Sequence, residues 1–170
     1  MPMNAMKRMT AQTCLVMTIK LDLQKATRVS PIPSKQQFQN WVKAALAGRR
    51  ENAELTIRIV DEKEAKDLNE KWRKSKGATN VLSFSIEDAR DFIPDLLGDI
   101  VICAPVVQKE ADMQCKPVES HWAHLVIHGT LHLLGYDHIK TDEAEKMEEI
   151  EIKILGKLGY NNPYEATKGP

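Results

Sequence analysis

The residues of this chain with the clearest chemical potential are its histidines. All five lie in one segment, HWAHLVIHGTLHLLGYDH, at residues 121–138. On a helix, His128 and His132 lie one turn apart, close enough to bind one metal ion together. Gly135 permits a left-handed turn at the helix end, after which the chain can return His138 as a third ligand. Three imidazoles leave the fourth position of a zinc ion open, so the pattern predicts a catalytic metal site.

The neighbours of these ligands allow more than one interpretation. His124 lies on the same helical stripe and is a candidate for contact with the ligands, or it faces solvent. For His121 we expect a solvated or hydrogen-bonded side chain. Asp137 precedes the third ligand and is a candidate for orienting an imidazole, although an aspartate after Gly-Tyr is equally typical of a turn.

The chemistry that the metal would support depends on the residue after the first ligand. The spacing H-x3-H-x5-H equals that of HExxHxxGxxH metallopeptidases, in which a glutamate follows the first histidine. Here that position is Gly129, so the usual general base of peptide hydrolysis is missing. A zinc metallopeptidase is therefore an alternative hypothesis. A further alternative is a non-catalytic assembly factor whose metal only stabilises the fold.

Composition favours one domain in a reducing compartment. The chain has 170 residues, of which 42% are hydrophobic and 28% charged, enough for a substantial core. Its three cysteines, Cys14, Cys103 and Cys115, form no CxxC pair, which favours a cytoplasmic location. The longest uncharged apolar run, residues 14–19, is too short to cross a membrane. Because the net charge is zero, any contact with nucleic acid is expected to be local.

The periodicity of apolar residues predicts an α+β fold. Alternating or continuous apolar residues predict four strands, at about residues 15–23, 54–60, 79–86 and 98–103. Helical periodicity predicts five helices: one after a Ser34–Gln37 capping box, one after Asp61, and others near 105–114, 118–134 and from 141 onward. We predict a single domain over 14–164, with a mixed, about four-stranded sheet and the metal-site helix across it. Residues 1–13 are predicted to be a loose leader and 165–170 a tail.

Two predictions concern helix faces. Ala65, Leu68 and Trp72 are predicted to form the buried side of the second helix, which ends in a basic cluster at residues 71–76. Cations at a helix C-terminus are ordinary compensation of the helix dipole. The glutamates from 143 to 151 are interpreted as a solvated helix face.

Three sequence blocks carry a family resemblance. They are HGTLHLLGYDH at 128–138, LNEKWRKSKGATNVLSF at 68–84 and LLGDIVIC at 96–103. In this order they resemble the YbeY family of bacterial metal-dependent, single-strand-specific endoribonucleases, over roughly residues 14–164. Where the family commonly has a proline the chain has Ser85, and where it has an acidic residue and then a proline the chain has Lys76 and Ala78. These departures affect the geometry of the loops and leave the histidine block intact.

The resemblance implies an activity and a set of functional residues. It implies an endoribonuclease with Arg73 and His128 as catalytic residues and one divalent ion on His128, His132 and His138. Zinc is the expected ion, and imidazole ligands also suit nickel. Arg73 would bind a phosphate oxygen and stabilise transition-state charge. The implied partners are single-stranded RNA, ribosomal RNA, including maturation of the 16S 3′ end, and the ribosomal particle in quality control.

Overall fold

The computed structural model describes residues 16–86, 91–137 and 139–165. Its strands are β1 (Thr18–Ala26), β2 (Asn52–Val60), β3 (Val81–Ser85) and β4 (Leu96–Cys103). Its helices are α1 (Lys35–Leu46), α2 (Glu62–Leu68), α3 (Ala104–Met113), α4 (Val118–Leu133) and α5 (Thr141–Lys157). A π-helical turn, Asn69–Arg73, continues α2. The predicted leader at 1–13 lies outside the described residues, as does the predicted tail apart from Glu165.

The four strands form one mixed sheet in the order β1-β2-β4-β3. Strands β1, β2 and β4 run parallel, and β3 lies antiparallel to β4 at the edge. Each central strand alternates apolar side chains toward the helices, so that Ile57 is aligned with Ile100 of β4. The predicted α+β fold with a mixed, four-stranded sheet is confirmed.

The main core lies between one face of the sheet and helices α1, α4 and α5. Helix α1 begins at the predicted capping box, in which Ser34 Oγ accepts from the Gln37 backbone N–H and the Gln37 side chain accepts from that of Ser34. Helix α4 buries Trp122 and Ile127 completely or nearly so, and Trp122 meets the ring of Phe38 edge to face. Because α4 packs along β3 and β4, its position is fixed by the same core that holds the sheet together.

The opposite face of the sheet is covered at one end only. There α2 and α3 enclose a smaller apolar cluster that includes Ala65, Leu82 and Val101. The predicted burial of Trp72 is wrong, since its side chain is 61% exposed. The π-helical turn has a wider hydrogen-bonded loop than an α-helix, so residues after Leu68 leave the stripe that an α-helical period predicts. No helix within the described ranges has both the length and the apolar character needed to cross a membrane.

Candidate metal centre and active-site cleft

Helix α4 places two imidazole nitrogens close to each other. His128 and His132 lie on successive turns, and their Nε2 atoms are 3.1 Å apart. Two nitrogens bound to one tetrahedral zinc at ~2.0–2.1 Å lie about 3.3 Å from each other. The spacing between these two donors therefore fits a shared metal ion. His138, the predicted third ligand, lies outside the described residues.

A buried carboxylate contacts the Nδ1 atom of His128. Glu151 of α5 is fully buried, and its Oε1 lies 2.5 Å from Nδ1 of His128. Its other oxygen lies 2.9 Å from Nε2 of His124 and accepts a hydrogen bond from the Tyr164 hydroxyl. An ionised carboxylate is only an acceptor, so Nδ1 of His128 carries the proton and its Nε2 presents a lone pair. This is the tautomer that a metal ligand needs.

The same contacts keep the Glu151 carboxyl ionised. Burial by itself raises its pKa, but the hydrogen bonds and electrostatic interactions with His124 and His128 outweigh that effect and hold the pKa at about 2. The fixed negative charge beside His128 raises the basicity of that imidazole toward a metal ion.

The prediction that the glutamates from 143 to 151 form a solvated face is wrong for Glu151. Met147, Glu151 and Ile154 occupy positions i, i+4 and i+7 of α5, and all three are buried. The periodicity of α5 thus contained a signal that one glutamate lies on the apolar stripe. The position was nevertheless interpreted as exposed because it is a glutamate, and carboxylates are seldom fully buried without partners.

The described residues contain one group of three donors that could hold a metal ion. One donor atom from each of His124, His128 and Glu151 lies within 4.8 Å of the others. This places His124, predicted to contact the ligands, beside the same carboxylate as His128. In this arrangement the Nδ1 side of His128 would face the ion, whereas the pair formed with His132 uses the Nε2 side.

The Nε2 side of His128 opens to a cleft of about 220 Å³. His128, His132 and Arg73 all contribute to its wall, together with Thr79, Asn80, Val81 and Ser83. Ser83 joins β3 to α4 by donating a hydrogen bond to the carbonyl of Gly129 over 3.3 Å. The structure therefore brings three of the predicted site residues, from two separate parts of the chain, to one cavity.

Arg73 reaches this cleft because the segment around it is tightly folded. Asn69 is buried, and its side-chain amide donates to the carbonyls of Ser75, at 3.3 Å, and Gly77, at 2.8 Å. Lys74 adopts a left-handed conformation, with φ of 54°, and ends the π-helical turn. Such turns are rare and often occur at functional sites.

Gly129 is held against the sheet, where a glutamate would not fit. A Cβ atom there would lie 3.0 Å from a methyl carbon of Ile100 and 3.2 Å from the Ser83 hydroxyl. Ile100 is fully buried, so it has little room to move. The position after His128 thus points into the core, and the geometry disfavours the metallopeptidase alternative.

The remaining candidates lie around this centre. His121 is buried, and its Nε2 lies 2.7 Å from Glu110 Oε2, in line with the expected hydrogen-bonded side chain. Burial lowers the pKa of His121, and its contact with Glu110 opposes that shift. Asp137 is half-buried just beyond the end of α4, and its role in orienting an imidazole stays a prediction.

Comparison with known proteins places this chain among ribonucleases. The family model described as Endoribonuclease YbeY matches residues 21–159. A protein named Endoribonuclease YbeY from Pseudomonas fluorescens (strain Pf-5) is 54% identical over 148 residues, which cover 86% of this chain and 96% of the relative.

A solved structure shares the fold. The solution structure of TM1509 from Thermotoga maritima aligns with a TM-score of 0.55 at 22% identity. The alignment covers 87% of this chain and 99% of that protein. At this identity the likeness concerns the architecture alone.

Proposed function

The chain belongs to the endoribonuclease YbeY family, and from that membership we propose that it hydrolyses phosphodiester bonds in single-stranded RNA with the help of one divalent metal ion. The observation that carries the proposal is the approach of the His128 and His132 Nε2 atoms to 3.1 Å on the wall of the cleft that also contains Arg73. Metal ligands and a phosphate-binding cation are the two components that metal-assisted phosphodiester cleavage requires.

The metal ligands in this proposal are His128, His132 and His138. We prefer the Nε2 side of His128 to the group that includes Glu151, because both oxygens of Glu151 are already engaged by His124, His128 and Tyr164. Imidazole ligands suit zinc best, and nickel is the alternative. When bound, the ion supplies Lewis-acid chemistry, polarising a phosphate oxygen or lowering the pKa of water.

The protein's own residues bind and orient the substrate. Arg73 lies in the cleft with a planar guanidinium that can hold two oxygens of the scissile phosphate and neutralise charge that develops there. Glu151 holds the proton on Nδ1 of His128 and so fixes the direction of its ring. Asp137 is proposed to orient a neighbouring imidazole in the same way.

Membership of the family also supports a biological substrate. Ribosomal RNA is the proposed substrate, with maturation of the 16S 3′ end and contact with the ribosomal particle during quality control. A cytoplasmic location accompanies this proposal. Because the net charge is zero, RNA affinity must come from local cations, and the basic cluster at residues 71–76 borders the cleft through Arg73.

The test combines metal analysis with RNA cleavage. Purified protein is expected to contain about one zinc or nickel ion per chain and to cleave an unstructured RNA in a reaction that a chelator abolishes. His128→Ala is expected to lose both metal and cleavage. His121→Gln is a suitable control, since it alters an imidazole on the same helix that contacts Glu110, away from the cleft.

Other outcomes would contradict the proposal. Cleavage that persists in His128→Ala at the wild-type rate would point to a contaminating nuclease. If His128→Ala unfolded, and the folded wild-type protein bound metal without cleaving any RNA, the metal would be structural and the protein non-catalytic.

A further inference from the structure

Trp72 and Phe84 form an aromatic pair at the edge of the sheet. Their ring centroids lie 6.3 Å apart with an interplanar angle of 72°. The Trp72 side chain is 61% exposed, an unusual state for the largest apolar side chain. Edge-to-face contact with Phe84 fixes one side of the indole while leaving much of its surface accessible.

This pair lines a groove on the face of the sheet opposite the metal centre. The groove has a volume of about 600 Å³, and its lining also includes Arg58, Asp99 and Val101. Successive residues of a strand point to opposite faces. In β3, Ser83 therefore faces the cleft and the next residue, Phe84, faces the groove.

Two consecutive residues of the π-helical turn are divided between the cavities in the same way. Trp72 lines the groove, and the following residue, Arg73, lines the cleft. The two cavities thus meet around the edge strand β3, with consecutive residues serving each of them. If Arg73 binds a phosphate of a single strand, we therefore expect a neighbouring nucleotide to lie on the Trp72 side of this edge.

The charges around Trp72 suit a nucleotide. The Lys71 ammonium lies 5.2 Å from the centroid of the indole, and the cations of residues 71–76 are all exposed. Within the groove, the Glu64 carboxylate is neutralised by Arg58 at 2.6 Å. Asp99 also lines the groove, so the phosphate chain is expected to follow the lysines while only a base enters beside Trp72.

We propose that Trp72, supported by Phe84, is a stacking site for one nucleobase of the RNA strand whose scissile phosphate lies at Arg73. This inference rests on the proposed function and adds to it a subsite outside the cleft. Stacking on an aromatic ring accepts any base and requires an unpaired one, because paired bases have no free face. The subsite would thus contribute to a preference for single-stranded RNA without selecting a sequence.

The intrinsic fluorescence of the protein provides a direct readout. Its other two tryptophans, Trp41 and Trp122, are buried at 2% and 3% exposure, so Trp72 is the tryptophan whose emission a stacked base can quench. A nuclease-resistant single-stranded oligonucleotide, with 2′-O-methyl sugars and phosphorothioate linkages, is expected to quench part of the emission of the metal-loaded wild-type protein. In Trp72→Phe that quenching should vanish, although binding should persist because phenylalanine also stacks.

Affinity and cleavage give the second readout. Trp72→Ala is expected to raise Kd and KM by about 5- to 150-fold, the equivalent of ~1–3 kcal/mol for one stacked base, with little change in kcat. Trp72→Phe should recover most of that loss. Met113→Ala is the control, since Met113 is 74% exposed at the end of α3 and does not line the groove.

The stacking contact can also be removed from the substrate side. With wild-type protein, an abasic residue at the stacked position should weaken binding as much as Trp72→Ala does, and with Trp72→Ala it should cause no further loss. Unchanged affinity and KM in Trp72→Ala, without quenching in the wild type, would overturn the stacking site even if RNA is cleaved normally. Failure of the wild-type protein to cleave any RNA would instead overturn the proposed function, and quenching would still report on base binding.

Discussion

Glu151 fixes both the direction and the tautomer of His128 from the side remote from the cleft. It is fully buried between His124, His128 and Tyr164. A buried carboxylate with these three donors keeps its charge, with a pKa of about 2. The energetic cost of removing this carboxylate from water is offset by contacts that exist only when α4 and α5 are correctly packed.

Replacing this carboxylate is expected to weaken metal binding. In Glu151→Gln, the neutral amide cannot accept hydrogen bonds from both imidazoles, because one of its two polar atoms is a donor. We expect metal affinity to fall by about 10- to 100-fold, measured by competition with a chromophoric chelator. Glu149→Gln, at an exposed position of the same helix, should leave affinity unchanged. Equal affinities of the two variants would show that Glu151 does not act on the ligand.

Arg73 is expected to act on the substrate and not on the metal. In Arg73→Ala the cleavage rate should fall by about 10²-fold or more, because a cation facing developing negative charge is lost. Metal content should stay at the wild-type level. Arg73→Lys should recover only part of the rate, since an ammonium cannot bind two oxygens in the same plane.

The control for this prediction is Arg49→Ala, which removes an exposed arginine beyond the end of α1. Rates for single-stranded RNA and metal content are measured on the same samples. If the Arg73→Ala variant cleaved RNA at the wild-type rate, or if it lost the bound metal, the proposed role of Arg73 would be contradicted.

The sequence predicts contacts between functional residues when those residues are close together in the chain. His128 and His132 lie on one helix, so a helical period is enough to predict that they meet. Glu151 contacts His128 across 23 positions of sequence, and only the packing of α5 on α4 creates that contact. A buried position in the α5 stripe was visible in the sequence, but its partners were not.

Helix α4 is held close to the sheet at Gly129. The Ser83 hydroxyl bonds to the Gly129 carbonyl, and no side chain separates the helix from Ile100. The His128 ring therefore has a defined distance from β3, the strand that forms the other wall of the cleft. A larger residue at this point would push the helix and the wall apart.

Gly129→Ala is expected to destabilise the fold despite the better helix propensity of alanine. The new methyl group would overlap Ile100, and overpacking of this kind costs ~1–3 kcal/mol. The free energy of unfolding is measured by urea titration. Gly156→Ala, in α5 with nothing within 4 Å of its Cβ position, should instead stabilise by ~0.4–1 kcal/mol. A stabilised Gly129→Ala protein would contradict the close contact described for α4.

The segment after α2 shows where a regular period fails. An α-helical stripe through Ala65 and Leu68 predicts that Trp72 is buried, yet the π-helical turn leaves it exposed. The turn is stabilised by the contacts of the Asn69 amide with Ser75 and Gly77, which are created by the following loop. Sequence periodicity therefore predicted the position of the helix correctly, but it did not predict which way the side chains at the end of the helix point.

For the molecule as a whole, apolar patterning predicts the number of strands and the α+β class. It does not predict the strand order β1-β2-β4-β3. In that order β2 pairs with β4, which is distant in sequence because β3 lies between them in the chain. That order makes β3 the edge strand and so leaves the cleft and the groove on either side of it accessible. The position of the site thus follows from topology, and its chemistry follows from local sequence.

We propose that the endoribonuclease activity of this chain depends on a metal ion bound by the α4 histidines. The most direct test is to titrate metal-free protein with zinc and follow cleavage of an unstructured RNA. Activity is expected to rise in proportion to bound metal and to saturate at about one equivalent, whereas His132→Ala is expected neither to bind this equivalent tightly nor to gain activity. Activity of the metal-free protein equal to that of the loaded protein, or full activity of His132→Ala, would contradict this dependence on the metal.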